Sequence, residues 1–315
     1  MDPLWRWAPW FTLGSGGGTE PLSYRVWKRL WQVRGGLGWE ADLFERMRDT
    51  DWDLLVVMDA CRYDVLREVA ETVAVDRAVS PATATYEFLT RGAESGAFDG
   101  VTYVSGSPQT EKPELDLSVL CEGTELVSLA SECWDPALST VDPTCVLEVA
   151  EERLRAGERV ITHIKQPHYP HITGNADTLR PVPGGLHPAL FDEEFGDEPG
   201  SQRVLSTGAV RLDRAEQSYR ACARFAWDLV RSLAERLSAE GYRVAVTADH
   251  GEAFGEWGFV EHPVDVPIDT LREVPWVVFD PLPDGERGAG GEAEGEREGE
   301  REDLKERLQA LGYRD

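Results

Sequence analysis

Residues 54–59 read Leu-Leu-Val-Val-Met-Asp (LLVVMD), an unbroken apolar run that ends in a carboxylate. The run is too short for a helix and reads as a strand buried on both faces. Such strands belong to parallel sheets covered by helices. Working outward, Arg62 to Glu71 has the pattern of a following helix, and Val101 to Val104 is another short strand. Cys145 to Arg155 predicts a helix, and Arg159 to Ile164 (RVITHI) a strand. Arg214 to Glu240 predicts a long helix, closed by Gly241 as a C-cap signal. Arg243 to Thr247 and Val274 to Phe279 complete the strands. Strands alternating with helices predict an α/β fold, a mostly parallel sheet sandwiched between helices, with a reduced C-terminal part.

The organisation that follows has four parts. Residues 1–50 form a Trp-rich arm (Trp5, Trp7, Trp10, Trp27, Trp31, Trp39), and residues 51–281 the α/β domain. Residues 282–302 are an acidic Gly/Glu-rich segment with too little apolar surface to order itself. Residues 303–315 carry Leu304, Leu308 and Leu311 on one stripe of an amphipathic helix. The indoles of the arm suit either packing onto the body or peripheral contact with a membrane surface. Packing is favoured, because an anchor on anionic lipid wants a basic face.

The 315 residues carry a formal net charge of −26, and lysine occurs only at positions 28, 112, 165 and 305. Such a field opposes nucleic-acid binding, which rests on cations neutralising phosphates. A dense acidic surface suits a halophilic protein kept soluble in concentrated salt. Residues 1–13 lack the basic start and apolar core of a signal peptide, so a cytoplasmic location is expected. Cys61, Cys121, Cys133, Cys145 and Cys222 form no CxxC pair, which favours reduced core thiols over a disulfide framework or a zinc site.

In open α/β sheets, ligands collect at the carboxyl ends of strands. Polar residues stand at three of those ends here. Asp59 follows LLVVM, Asp249 and His250 follow VAVTA, and Lys165, His168 and His171 follow RVITHI. Each alone has a structural explanation, such as a helix cap for an Asp. Their coincidence points to a catalytic or metal site. His163, inside its strand, reads as structural.

The string TADHGEAFGEWGFVEHP (247–263), followed by LREVPWVVFDP (271–281), resembles the late signature of sulfatase-like members of the alkaline phosphatase superfamily. VVMDACRYD (56–64) is similar to their opening metal motif, and QPHYPH (166–171) to their Pro-His-x-Pro segment. SPATATYEFLT (80–90) falls where the family places its nucleophile. The likeness covers roughly residues 51–281 in motif order.

The resemblance implies one divalent metal ion (Mn²⁺, Zn²⁺ or Mg²⁺, with Ca²⁺ not excluded) held by Asp59, Thr83, Asp249 and His250, and leaves room for a second. Thr83 is the expected catalytic nucleophile, since the window resembles those of lipoteichoic acid synthase-like enzymes and phosphoethanolamine transferases; the doublet keeps Thr85 as the alternative. Either threonine is also a candidate helix cap. Lys165, His168, His171 and His262 are expected to bind substrate. Arg62 and Asp64 suit a structural salt bridge beside the site. No cysteine lies in the formylglycine motif of true sulfatases. The expected activity is therefore hydrolysis or transfer of phosphate esters, on a phosphorylated or sulfated glycan, lipid or small molecule. A sulfatase and a non-catalytic binding protein of the same fold are the alternatives.

Overall fold

The computed structural model describes residues 29–30, 33, 40–175, 178–186 and 210–283. Most of the Trp-rich arm, the acidic segment from residue 284 onward and the terminal helix lie outside the described residues.

In chain order the main elements are α1 (Leu43–Asp49), β1 (Leu54–Met58), α2 (Tyr63–Val69), β2 (Asp76–Val79), α3 (Thr85–Glu94), β3 (Thr102–Ser105) and β4 (Glu125–Ser128). They continue with α4 (Pro143–Arg155), β5 (Val160–Ile164), α5 (Leu212–Glu240), β6 (Val244–Thr247) and β7 (Glu273–Phe279). The sheet has seven strands in the order β2-β7-β6-β1-β5-β3-β4. β1 lies between β6 and β5, parallel to both, with Val57 opposite Thr247 on one side and His163 on the other. β3 continues the parallel set between β5 and β4.

Every residue of β1 and of β5 is buried, so both faces of the sheet centre are covered, as the apolar runs predict. Truncating one of these core side chains, Leu54→Ala for example, would cost about 2–5 kcal/mol. α5 ends where the sequence indicates, on Gly241 with φ 103°. Only glycine adopts that conformation without a Cβ penalty. Asp142 caps α4 through the Thr144 N–H, 2.8 Å away, and Pro143 opens it.

The sheet departs from the expected pattern at one edge. β7 runs antiparallel to both β6 and β2. β2 and β4 have no apolar run to announce them, because they are edge strands with solvated residues. The cysteine expectation is also corrected: Cys133 and Cys145 form a disulfide. A hairpin, Trp134–Asp135 against Thr140–Val141, folds the chain back and brings Cys133 to the first turn of α4. The Asp142 N–H donates to the Cys133 carbonyl at 2.8 Å. Cys61, Cys121 and Cys222 are buried free thiols. Among the described residues no helix is long and apolar enough to cross a membrane.

Candidate metal centre and active site

β1 and β6 are adjacent and parallel, so the residues just past their carboxyl ends meet. Asp59, Asp249 and His250 each offer a ligand atom, and these atoms lie within 4.8 Å of one another. All three residues are fully buried. His250 Nδ1 lies 2.8 Å from the Gly251 carbonyl, which fixes the hydrogen on Nδ1 and leaves the Nε2 lone pair facing the cluster. Nε2 stands 3.3 Å from Asp249 Oδ2 and 3.6 Å from Asp59 Oδ1. The turn needs glycine at 251, because a Cβ there would meet the Thr270 carbonyl oxygen at 2.0 Å.

Asp59 is held between neighbouring chains. Its N–H donates to the Ile164 carbonyl, and its own carbonyl accepts from the His168 N–H, binding the loop after β5 to the loop after β1. Ala60 follows with φ 62°. Its N–H donates to Asp249 Oδ1, and its carbonyl accepts the Tyr219 hydroxyl of α5 at 2.6 Å. Lys165 Nζ lies 2.8 Å from Asp59 Oδ2. Burial alone would raise the Asp59 carboxyl, but the Lys165 ammonium beside it outweighs this and holds the group far below the usual carboxylate range.

The threonine doublet differs from the expected register. Thr83 points away from the cluster: its hydroxyl is 2.8 Å from Glu87 Oε2 and 3.0 Å from the Pro263 carbonyl. Thr85 is the threonine at the cluster, with Oγ1 3.2 Å from His250 Nε2 and 3.4 Å from Asp59 Oδ1. The cause is where α3 starts. Ala84 is its N-cap and Thr85 its first residue, so neither threonine caps the helix with its side chain. Glu87, two residues further, reaches back to the Thr83 N–H. The first turn of α3 starts at Thr85, and a helix N-terminus favours negative charge there.

A second group lies against the first. His168, Glu252 and His262 also bring ligand atoms within 4.8 Å of one another. The His262 ring centroid is 4.5 Å from that of His250 and 4.9 Å from that of His168. Burial pushes the Glu252 carboxyl up to about 8 and lowers His168 and His262. Glu252 was not singled out from the sequence, although it stands in the quoted DHGE string. His171 does not join either group; its Nδ1 pairs with Ser218 Oγ at 2.9 Å, under α5. Arg62 and Asp64 form the expected salt bridge, and Arg62 also holds Glu256 at 2.7 Å and the Glu252 carbonyl. His163, fully buried, stands behind Asp249, and burial lowers its pKa.

The residues fit a divalent cation. Asp249 Oδ2 is a buried carboxylate oxygen with no hydrogen-bond partner, in a pocket of carboxylates and one imidazole lone pair. A mixed oxygen and nitrogen donor set suits Mn²⁺, Zn²⁺ or Mg²⁺.

No family model matches the sequence, and no curated protein matches it. Solved structures do. Its structural neighbours are phosphoethanolamine transferases, sulfatases and a phosphoglycerol transferase. The soluble domain of lipooligosaccharide phosphoethanolamine transferase A from Neisseria meningitidis is 12% identical, with 72% of this chain and 75% of that one covered at TM-score 0.47. A 2-O GAG sulfatase is 14% identical, covering 72% of this chain and 64% of that one at TM-score 0.45. The Streptococcus pyogenes phosphoglycerol transferase GacH, in complex with sn-glycerol-1-phosphate, is 12% identical, covering 84% and 77% at TM-score 0.40. At these values the likeness is one of fold, and function rests on the site itself.

Proposed function

We propose that the chain is a metal-dependent enzyme that hydrolyses or transfers phosphate esters through a covalent intermediate on Thr85. The observation that carries this is the position of Thr85 Oγ1, between His250 Nε2 and Asp59 Oδ1 at the first turn of α3. Asp59, Asp249 and His250 would hold the cation, which when bound lowers the pKa of the threonine hydroxyl and polarises the ester. Thr85 donates its O–H toward Asp59 Oδ1. As the bond from Thr85 Oγ1 to phosphorus forms, the threonine proton leaves to solvent, the ester oxygen–phosphorus bond breaks, and the departing oxygen takes a proton from the Glu252–His262 pair. Attack by water or an acceptor alcohol then frees the threonine. Lys165 and the α3 N–H groups suit the non-bridging oxygens. His168 and His262 suit the leaving group, with the raised Glu252 carboxyl beside His262 as a proton store. Complete clusters support an enzyme over a binding protein.

A second reading, with two cations, is favoured by the group of His168, Glu252 and His262. Metal content of His262→Ala separates the two: a stoichiometry unchanged from wild type would leave the single-metal form. A glycan or lipid headgroup remains the proposed substrate class. The cytoplasmic location also stands as a proposal. In a reducing cytoplasm Cys133 and Cys145 would be free thiols, so their state in cells tests it.

The test is acid-quenched intact mass after exposure to an aryl phosphate, an aryl phosphodiester and an aryl sulfate, with Mn²⁺ or Zn²⁺ at high salt. A phosphoryl adduct is expected on Thr85. Thr85→Ala should lose on the order of 10³-fold or more in kcat/KM, and Thr83→Ala should keep most turnover. An adduct on Thr83 would restore the register expected from sequence. Sulfate turnover matching phosphate would defeat the phosphate assignment, because a threonine sulfate lacks the second hydroxyl by which a formylglycine hydrate sheds sulfate.

A further inference from the structure

The sheet centre holds an imidazole and a phenol that the chemistry above does not use. His163 and Tyr103 lie on the neighbouring strands β5 and β3, both fully buried. Tyr103 Oη is 2.9 Å from His163 Nδ1. His163 Nε2 faces Asp249 Oδ2 at 3.6 Å. These last two atoms are both buried without a hydrogen-bond partner, and they face each other.

We propose that Tyr103 and His163 form a relay that positions Asp249 as a cation ligand: Tyr103 donates its hydroxyl hydrogen to His163 Nδ1, and His163 presents Nε2–H to Asp249 Oδ2. The inference rests on Asp249 being a metal ligand. His163 is a positioning residue, not a catalytic one.

Two hydrogen placements compete. With the hydrogen on Nδ1, the Tyr103 hydroxyl hydrogen would lose the imidazole as acceptor, and a nitrogen lone pair would face a carboxylate in a buried site. With it on Nε2, Nδ1 accepts from Tyr103 and an N–H dipole points at the carboxylate. The second placement satisfies the Tyr103 hydroxyl and His163 Nδ1, and turns an N–H instead of a lone pair toward the carboxylate. The 3.6 Å separation is longer than a hydrogen bond, so the contact is an oriented dipole against a charge.

The other oxygen shows why this matters. Asp249 Oδ1 already accepts from the Ala60 N–H at 3.0 Å and the His250 N–H at 2.9 Å. A carboxylate oxygen has two lone pairs, so both on Oδ1 are taken. Oδ2 is therefore the oxygen left for a cation; His250 Nε2 at 3.3 Å faces it with a lone pair, and His163 Nε2 at 3.6 Å faces it from behind. Partners of this kind behind a ligand typically change metal affinity about 10–100-fold.

The experiment uses the whole chain, with ¹⁵N-histidine labelling for the tautomer and calorimetric titration with Mn²⁺ and Zn²⁺ for affinity. The metal-free wild type should show His163 protonated on Nε2. His163→Phe should weaken cation binding about 10–100-fold. His163→Gln, which keeps an amide N–H in reach, should recover part of the loss. Tyr103→Phe should mix the tautomers and weaken binding less than His163→Phe. An Nδ1-protonated wild type would overturn the relay. So would a folded His163→Phe, or a Tyr103→Phe where the former fails to fold, that binds both cations as tightly as wild type. A wild type that binds neither cation would instead overturn the metal centre itself, and the relay's function with it.

Discussion

The two ends of the central sheet use charge in opposite ways. At the amino ends of β1, β5 and β6, charged side chains are exposed or half-buried and answered by partners. Asp53 accepts the Arg243 N–H at 2.7 Å, and Arg243 Nε meets Asp280 at 2.8 Å. Arg159 lies 3.7 Å over the Trp52 ring and donates to the Trp52 carbonyl. At the carboxyl ends, Asp59, Asp249, His250 and His163 are fully buried, and two of their polar atoms have no partner. One end is closed on itself. The other keeps charge in a low-dielectric place where it is costly unless something else completes it.

The largest effect expected from this contrast is at Asp249. Asp249→Ala should lose on the order of 10³-fold or more in turnover and most of its bound metal. At about 100 times its Kd, metal should stabilise the wild type by about 2.7 kcal/mol, read as a rise in melting temperature, and should leave the variant unmoved. Removing Asp249 relieves its repulsion with Asp59 but strips the buried Ala60 and His250 N–H groups of their acceptor, so each protein is compared with its own metal-free form. A variant that still gains stability from the metal would break the contrast at its root.

The opposite end should respond in the reverse sense. Arg159→Ala removes a stacked guanidinium and its bond to the Trp52 carbonyl, at about 1–2 kcal/mol of stability. Its kcat/KM should match wild type, since the change lies at the far end of β5. Activity falling while stability holds would mean that the two ends are coupled.

How much was legible follows the same divide. Asp59, Asp249 and His250 could be read because a parallel-sheet strand announces itself as an apolar run, and the first polar residue after it marks the open end. The strand order could not be read, nor β2 and β4, whose edge positions leave solvated residues with no period. The placement of Thr85 rather than Thr83 beside the cluster was not legible, for a local reason. Ala84 gives no capping signal, and the start of α3 is set by Glu87 reaching back to the Thr83 N–H. Glu252 stood in view within DHGE, but only the turn that folds it toward His262 makes it a partner. His163 looked like any strand residue, because its two partners come from β3 and from the loop after β6. The disulfide depended on a hairpin too short to leave a pattern.

The smallest effect sharpens the contrast from the surface. Glu151 on α4 accepts two hydrogen bonds from Arg236 of α5, at 2.5 and 2.8 Å, and two more from Arg155, at 3.1 and 2.9 Å. The Arg236 hydrogen bond, followed by Arg155, lowers the Glu151 carboxyl below its ordinary value. A carboxyl depressed on folding contributes stability that is present above its unfolded pKa, about 4.3, and is lost as pH falls through the folded one. Glu151→Gln should therefore cost at most about 1 kcal/mol at pH 7. The difference from wild type should shrink as the pH is lowered through the carboxylate range and vanish once Glu151 is protonated in both states. Molar salt should shrink it too, since the screening length there is about 3 Å. Chemical denaturation at several pH values measures all of this. A cost above about 2 kcal/mol, beyond the range of exposed ion pairs, or one indifferent to pH, would mean that the surface carboxylates hold the fold as firmly as the buried ones. Charge that is fully answered and half in water should instead behave as a weak clasp, and the buried, unanswered charge at the other end of the sheet as the part of the molecule that waits for a ligand.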